Sequence, residues 1–365
     1  MSFVVRSGLL ASLGASCSLA LAQPDAPSAS APSSVSIYGI VDAAVRYTTH
    51  EQLLGASSAS KTQMVGGGMS QSRLGLNVSE DLGGGNRAIA NLEHRFLLDS
   101  GTAAGNEFWQ QSWVGLQTGI GRVTLGRQYN VLFDVYTSTY ASFKYSPFIE
   151  TYKPEIGFSL GARSNNMVKY ALQSGGWTGE LQVSPSEGSV LGGRTVGGML
   201  RYAHGNFLFG GAYMDITDGT GLHAKGMTLG GSWESGPWYV TGSVARNSFE
   251  AGYNPLLILA YLTSATTNGV YGSNIDRRDG YSFGATYQLT PQLNLGGHYW
   301  HVRQVGITPS GSGKADFLAF VGDYALSRRT DAYVELDYTR FDGAVRFPNG
   351  TTSRVGTMLG VRHRF

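Results

Sequence analysis

The sequence predicts an all-β chain closed on itself as an antiparallel transmembrane β-barrel of sixteen strands. Three observations carry this expectation. Apolar and polar residues alternate with period two in successive runs, short and long connections between the runs take turns, and 52 Gly in 365 residues accompany only 14% charged and 12% aromatic side chains. Ordinary globular chains hold about 7% Gly and about 25% charged residues. The aromatic content gives the bulk of the chain enough surface to bury, which excludes disorder. No apolar stretch beyond the N-terminus approaches the ~20 residues of a membrane-spanning helix, and the mean hydropathy is −0.11, so a helical membrane protein is excluded. The 27 basic and 25 acidic residues leave a net charge of +2, against broad electrostatic binding of nucleic acid.

The N-terminus reads as an export signal. One positive charge lies within residues 1–6, an apolar and small-residue stretch fills 8–21, and Ala20-Leu21-Ala22 fits a small-x-small cleavage pattern. Residues 1–22 are therefore expected to be a signal peptide, 23–34 a short Pro/Ala/Ser-rich segment, and 35–365 the barrel. Loss of 1–22 would remove Arg6 and the only cysteine, Cys17, leaving 26 basic and 25 acidic residues and no thiol for a disulfide or a metal.

The strands follow in order. From Val35, the residues Val35, Ile37, Gly39, Val41, Ala43, Val45 and Tyr47 share one parity, and Ser36, Tyr38, Asp42, Arg46 and Thr48 the other. The pattern recurs at Leu74/Leu76/Val78, Leu181/Val183, Tyr281/Phe283/Ala285/Tyr287/Leu289, Ala332/Val334/Leu336/Tyr338 and Val355/Leu359/Val361/Phe365. Seven short connections rich in Gly, Pro, Asn and Ser fall at 81–86, 118–121, 174–176, 203–206, 234–237, 289–292 and 326–330. Eight longer ones alternate with them, near 48–70, 97–107, 128–162, 185–195, 216–225, 247–279, 304–313 and 340–353. Seven hairpins and two flanking strands make sixteen, an even number that suits a closed bacterial barrel. A soluble β-sandwich would also alternate, but its connections need not sort by length. In a barrel the apolar parity faces lipid, closure satisfies the backbone, and sixteen strands leave an aqueous interior for the polar parity.

Several segments carry a family resemblance. Ser34-Val35-Ser36-Ile37-Tyr38-Gly39-Ile40-Val41-Asp42, Ser72-Arg73-Leu74-Gly75-Leu76, Glu80-Asp81-Leu82-Gly83-Gly84-Gly85, Leu125-Gly126-Arg127-Gln128, Ser164-Asn165-Asn166-Met167-Val168-Lys169-Tyr170, Tyr324-Ala325-Leu326-Ser327-Arg328-Arg329-Thr330 and the terminal Gly360-Val361-Arg362-His363-Arg364-Phe365 occur in this order. Together they resemble the general porins of Gram-negative bacteria, above all their β-proteobacterial branch. The resemblance implies a homotrimer in the outer membrane, in contact with outer-membrane lipid and lipopolysaccharide, each barrel a passive channel for small hydrophilic solutes and ions. It implies that Phe365 is an assembly signal for the barrel assembly machinery, while parity alone makes it an outward aromatic at the rim.

The resemblance also implies that the long third connection, 128–162, folds into the barrel and sets acids opposite a basic cluster on the wall, so that a transverse field sorts solutes. Arg73 and Arg163 fall on the inward parity and match basic-cluster positions; Arg127 matches one too, but needs a strand end or a bulge to escape an outward parity. Glu93 is inward beside Leu92, and Asp134, Glu150 and Glu155 are the loop acids expected to face the arginines. Gln110 and Gln111 stand where some relatives carry another arginine, so the implied anion preference is weak.

Two rival functions are weighed. The histidines scatter over loops, turns and both parities without a partner arrangement for general-base chemistry, and His298 and His301 fall on opposite strand faces, so neither an enzyme nor a metal or cofactor site is expected. A substrate-specific channel with a binding site at the third loop is the alternative. Tyr129, Tyr136, Tyr140, Phe143, Tyr145, Phe148, Tyr152 and Phe158 would supply it with an aromatic slide, unless they pack the loop against the wall.

Overall fold

The computed structural model describes residues 32–53, 56–105, 107–186, 193–254, 275–347 and 349–365; the expected signal peptide lies outside the described residues. Alternation produces the strands β1 (Ser34–Leu53), β2 (Ala56–Val65), β3 (Arg73–Gly83), β4 (Asn86–Arg95), β5 (Trp109–Thr118), β6 (Gly121–Tyr129), β7 (Arg163–Ser174), β8 (Trp177–Ser184) and β9 (Arg194–His204). The second half holds β10 (Phe207–Thr217), β11 (His223–Ser235), β12 (Trp238–Phe249), β13 (Arg277–Gln288), β14 (Leu293–Val305), β15 (Gly313–Ala325), β16 (Thr330–Gly343) and β17 (Ser353–Arg364). These seventeen strands form sixteen staves, because β2 and β3 lie end to end on one edge of β1: Ala44 to Leu53 pair with Val65 to Ala56, and Ser34 to Ile40 with Ser79 to Arg73. The other edge of β1 pairs with β17 from Ile40↔Arg364 to Thr48↔Gly356, which closes the sheet. Every pairing is antiparallel, as a closed barrel of hairpins requires.

All seven short connections join paired hairpins where Gly and Asn permitted them. Two long ones differ from expectation. Much of 48–70 is a hairpin that prolongs β1 and β2, and β16 continues to Gly343, because cross-strand pairing overrides weak local alternation. The two faces separate as expected: on β16, Val334 and Leu336 are 49% and 50% exposed, while Glu335 and Asp337, which alternate with them, are buried in the lumen. At the seam the Gly39 N–H donates to the Phe365 carbonyl at 3.0 Å and the Phe365 N–H to Gly39 at 3.1 Å. A Cβ at Gly39 would stand 2.3 Å from the Phe365 ring, so only Gly lets that ring lie down.

The barrel is not empty. The third long connection enters it and forms two apolar clusters, one around Val131, Leu132, Val135 and Leu160 against β9 to β12, the other around Phe143, Ile149 and Tyr152 against β14 to β17.

Candidate pore constriction

The third loop begins with helix α1 (Val131–Thr139). Asn130 caps it, accepting from the Phe133 N–H at 2.9 Å, and Asp134 lies in the first turn where the helix dipole favours a carboxylate. Asp134 binds the Lys169 ammonium of β7, which also lies 3.6 Å from Glu180 of β8 and donates to the Tyr129 carbonyl at 2.6 Å. The Val131 N–H donates to Gln182 at 2.7 Å, so the helix start is tied to the wall by polar contacts.

Its flank is seated by glycine. An added Cβ would stand 2.9 Å from Val131 at Gly197, 3.0 Å from Val135 at Gly210, 2.7 Å from Leu132 at Gly226 and 2.7 Å from Tyr140 at Gly230. Further round the wall the distances are 2.4 Å from Phe158 at Gly280 and 2.8 Å from Phe143 at Gly296. These glycines all face inward and form a bed from β9 to β14 on which the loop rests at close approach. Tyr140, Phe143 and Tyr152 are each 1% exposed, so these aromatics pack the loop against the wall rather than line a slide.

The loop's far end is held by the break between β2 and β3. There the Asp42 carboxylate accepts from the N–H groups of Gly68 and Met69, both at 3.1 Å, of Ser70 at 2.6 Å, and from the Tyr333 hydroxyl at 2.5 Å. Turned inward in this way, the break presents its carbonyls: the Glu150 N–H donates to Met69 and the Thr151 N–H to Gly68, each at 3.1 Å.

With the loop so placed, four cations meet two carboxylates. The Arg95 Nε donates to Glu93 at 2.8 Å, the Arg73 Nη1 lies 3.6 Å from the other Glu93 oxygen, and the Tyr38 hydroxyl donates to Glu93 at 3.2 Å. Arg163 and Arg95 both donate to the Tyr129 hydroxyl, and the Arg163 guanidinium lies 4.6 Å over the same ring. From the loop, Glu150 pairs with Lys153. Burial works to raise the Glu150 carboxyl, but Lys153 and then Arg95 outweigh it and hold it below the usual carboxylate range.

Three expected site residues lie elsewhere. Asp134 faces Lys169 and Glu180 rather than an arginine. Glu155 is sealed inside the loop, accepting from Tyr136 at 2.8 Å and Ser142 at 3.0 Å, and burial pushes its carboxyl up to about 7. Of the strand end or bulge expected at Arg127, a bulge is present, with Gly126 at φ +132°, yet the guanidinium pairs with Asn165 and, at 3.5 Å, with Glu107 of the second long connection. Arg95, Lys153, Tyr38 and the role of the Tyr129 hydroxyl were missed. Arg95 was within reach, since it lies two residues beyond Glu93 and shares its inward parity.

Comparisons with known proteins agree with the barrel fold. The family model described as Gram-negative porin matches residues 10–344. The chain is 30% identical over 240 residues to outer membrane porin protein 32 of Delftia acidovorans, covering 61% of this chain and 66%, just under two thirds, of that relative. It is 26% identical to an outer membrane porin protein of Bordetella pertussis over 93% of this chain and 96% of the relative. Among solved structures, the anion-selective porin from Comamonas acidovorans superposes with a TM-score of 0.71 at 24% identity, over 91% of this chain and 100% of that one, which speaks for the fold.

Proposed function

The chain belongs to the Gram-negative porin family, and on that premise we propose that it forms a water-filled outer-membrane channel for passive diffusion of small hydrophilic solutes and ions, with a weak preference for anions. The observation that carries the preference is the imbalance at the constriction, where Arg73, Arg95, Arg163 and Lys153 meet only Glu93 and Glu150. A narrow site with surplus fixed positive charge lowers the barrier for an anion and raises it for a cation. Arg127, Asp134 and Glu155 act on the pore at one remove, by holding the loops and wall that shape it.

Other features fit the same reading. Residues 1–22 serve as a signal peptide, and Phe365, outward at the seam, serves as the signal for the barrel assembly machinery. The barrels associate as homotrimers within lipid and lipopolysaccharide; Val45, Met64, Leu359 and Val355, outward on β1, β2 and β17, offer an uncharged face for such contact. The histidines favour a channel over an enzyme, since His298 lies inward against the Ser142 carbonyl and His301 outward beside Asp316.

Planar-bilayer recordings in a potassium chloride gradient test the proposal. The wild-type reversal potential should have the sign of chloride preference, and replacing Arg73 and Arg163 together with Gln should move it toward potassium. A cation-preferring wild type, or an unmoved variant, would overturn the assignment.

A further inference from the structure

The inward rows of β13 to β15 hold, at their short-turn end, a group of polar side chains that the constriction does not use. Thr286 is the register partner of Gly296, Asn294 lies two residues before Gly296 on the same inward face, and Asp323 is the register partner of Asn294. The third loop completes the group from inside the barrel, since a Cβ at Gly296 would stand 2.9 Å from the Tyr145 hydroxyl. None of these four side chains is more than 8% exposed. The same stretch of loop is tied down here, with the Tyr145 carbonyl accepting from Arg362 at 3.3 Å and Lys144 paired with Glu234 beside the turn between β11 and β12.

Each member of the group presents an oxygen without a hydrogen-bond partner among the described residues: Tyr145 Oη, Thr286 Oγ1, Asn294 Oδ1 and Asp323 Oδ1. The Asn294 amide nitrogen donates to Gln288 at 2.8 Å, which leaves its carbonyl to the group. Burial first, and then the Asp323 charge, push the Tyr145 hydroxyl well above the ordinary phenol range, so it stays a neutral oxygen dipole. A single buried orphan oxygen is an irregularity, but four of them gathered on three adjacent strands and one loop ask for a common ligand.

The surrounding charges identify that ligand. Arg362 engages Asp331 at 3.0 Å and Ser70 at 2.7 Å, and its Nη2 lies 3.7 Å from Asp323 Oδ1. Arg364 engages Asp331 at 2.5 Å, and Asp42 accepts from the Ser70 N–H at 2.6 Å. Three carboxylates, Asp42, Asp323 and Asp331, thus meet two guanidiniums, which leaves one negative charge over in a buried setting where an uncompensated charge is costly. Four oxygens suit a hard cation. With one carboxylate among the donors and two arginines nearby, a single positive charge restores the balance and a double one would exceed it.

We propose that Tyr145, Thr286, Asn294 and Asp323 form a binding site for a monovalent alkali cation, which fastens this limb of the third loop to the wall at the short-turn end. The site lies apart from the constriction and stands independently of the channel reading above.

The test is the thermal unfolding midpoint of the full folded chain in a nonionic detergent, followed by tryptophan fluorescence, while choline is exchanged for sodium or potassium at constant chloride and ionic strength. The wild-type midpoint should rise by several degrees and level off as the site fills, because a ligand that binds the folded state alone stabilises it by mass action. Asp323→Asn should remove the rise. Thr286→Val keeps every charge and should move the half-maximal cation concentration severalfold higher. Equal wild-type midpoints in choline and alkali chloride, the behaviour of a site neutralised by a proton instead, would overturn the proposal. So would an undiminished rise in Asp323→Asn, or an unmoved half-maximal concentration in Thr286→Val.

Discussion

The Arg163 guanidinium both donates to the Tyr129 hydroxyl at 3.2 Å and lies 4.6 Å over the Tyr129 ring. The same oxygen accepts from Arg95, so one phenol holds two like charges side by side where the loop leaves the wall. Tyr129→Phe keeps the ring and removes the shared acceptor, a loss of about 1–3 kcal/mol for bonds from charged donors. The anion-to-cation permeability ratio should fall while single-channel conductance changes little. An unchanged reversal potential would show that Glu93 alone sets the arginines.

Glu155 should make seating of the third loop depend on pH. Burial raises its folded value to about 7 from 4.5, so the folded loop holds the proton more tightly than the released one. Stability of the docked loop is therefore full below about pH 4.5, falls as pH rises through that window, and levels off above about 7, by up to about 3 kcal/mol. Protease susceptibility of the loop should rise over this range in the wild type and stay flat in Glu155→Gln; a wild type that is equally resistant at pH 5 and 8 would contradict it.

Filling the glycine bed should lift the loop. At Gly230 a new Cβ would stand 2.7 Å from both the Gly242 carbonyl and the Tyr140 ring, so Gly230→Val must displace one of them. Overpacking of this kind costs roughly 1–3 kcal/mol. Single-channel conductance should change and its noise increase, whereas the same substitution at Gly236, a turn with open space around it, would be felt only through its positive φ of 54°.

Asp42→Asn should loosen the opposite anchor. A neutral amide in place of the carboxylate weakens contacts to Gly68, Met69, Ser70 and Tyr333. With charge-assisted bonds at about 1.5–3 kcal/mol each, the break between β2 and β3 should open locally. Hydrogen exchange at the Glu150 and Thr151 amides, which bond to Met69 and Gly68, should quicken while the β14 to β16 ladder is unaffected. Equal protection in the variant would remove Asp42 from this role.

The staves were legible because alternation and turn chemistry are local. Leu74, Phe283 and Val334 show their outward parity without reference to any partner. The break between β2 and β3 was not, since it is held by contacts distant in the chain, among them Asp42 reaching Gly68 to Ser70 across more than twenty residues. The loop acids were illegible for the same reason. Asp134 and Glu155 differ in fate because one meets Lys169 on the wall and the other only Tyr136 and Ser142, and no sequence spacing announces either meeting. Arg127 combined both situations: parity announced a break in the strand there, but its partner Glu107 lies on a different loop.

The glycine bed has a further consequence. Since the third loop rests on β9 to β14 and is tied at the break beside β1, the cations and carboxylates of the constriction gather off the barrel's axis, along β3, β4 and β7. On the proposed reading of these residues as the constriction, the conduit is eccentric, and its resistance follows how far the loop stands from one short arc rather than the barrel's girth. Widening the barrel on the bedded side would leave the ionic current nearly as it was, while a small change in the seat of the loop would throttle or release it.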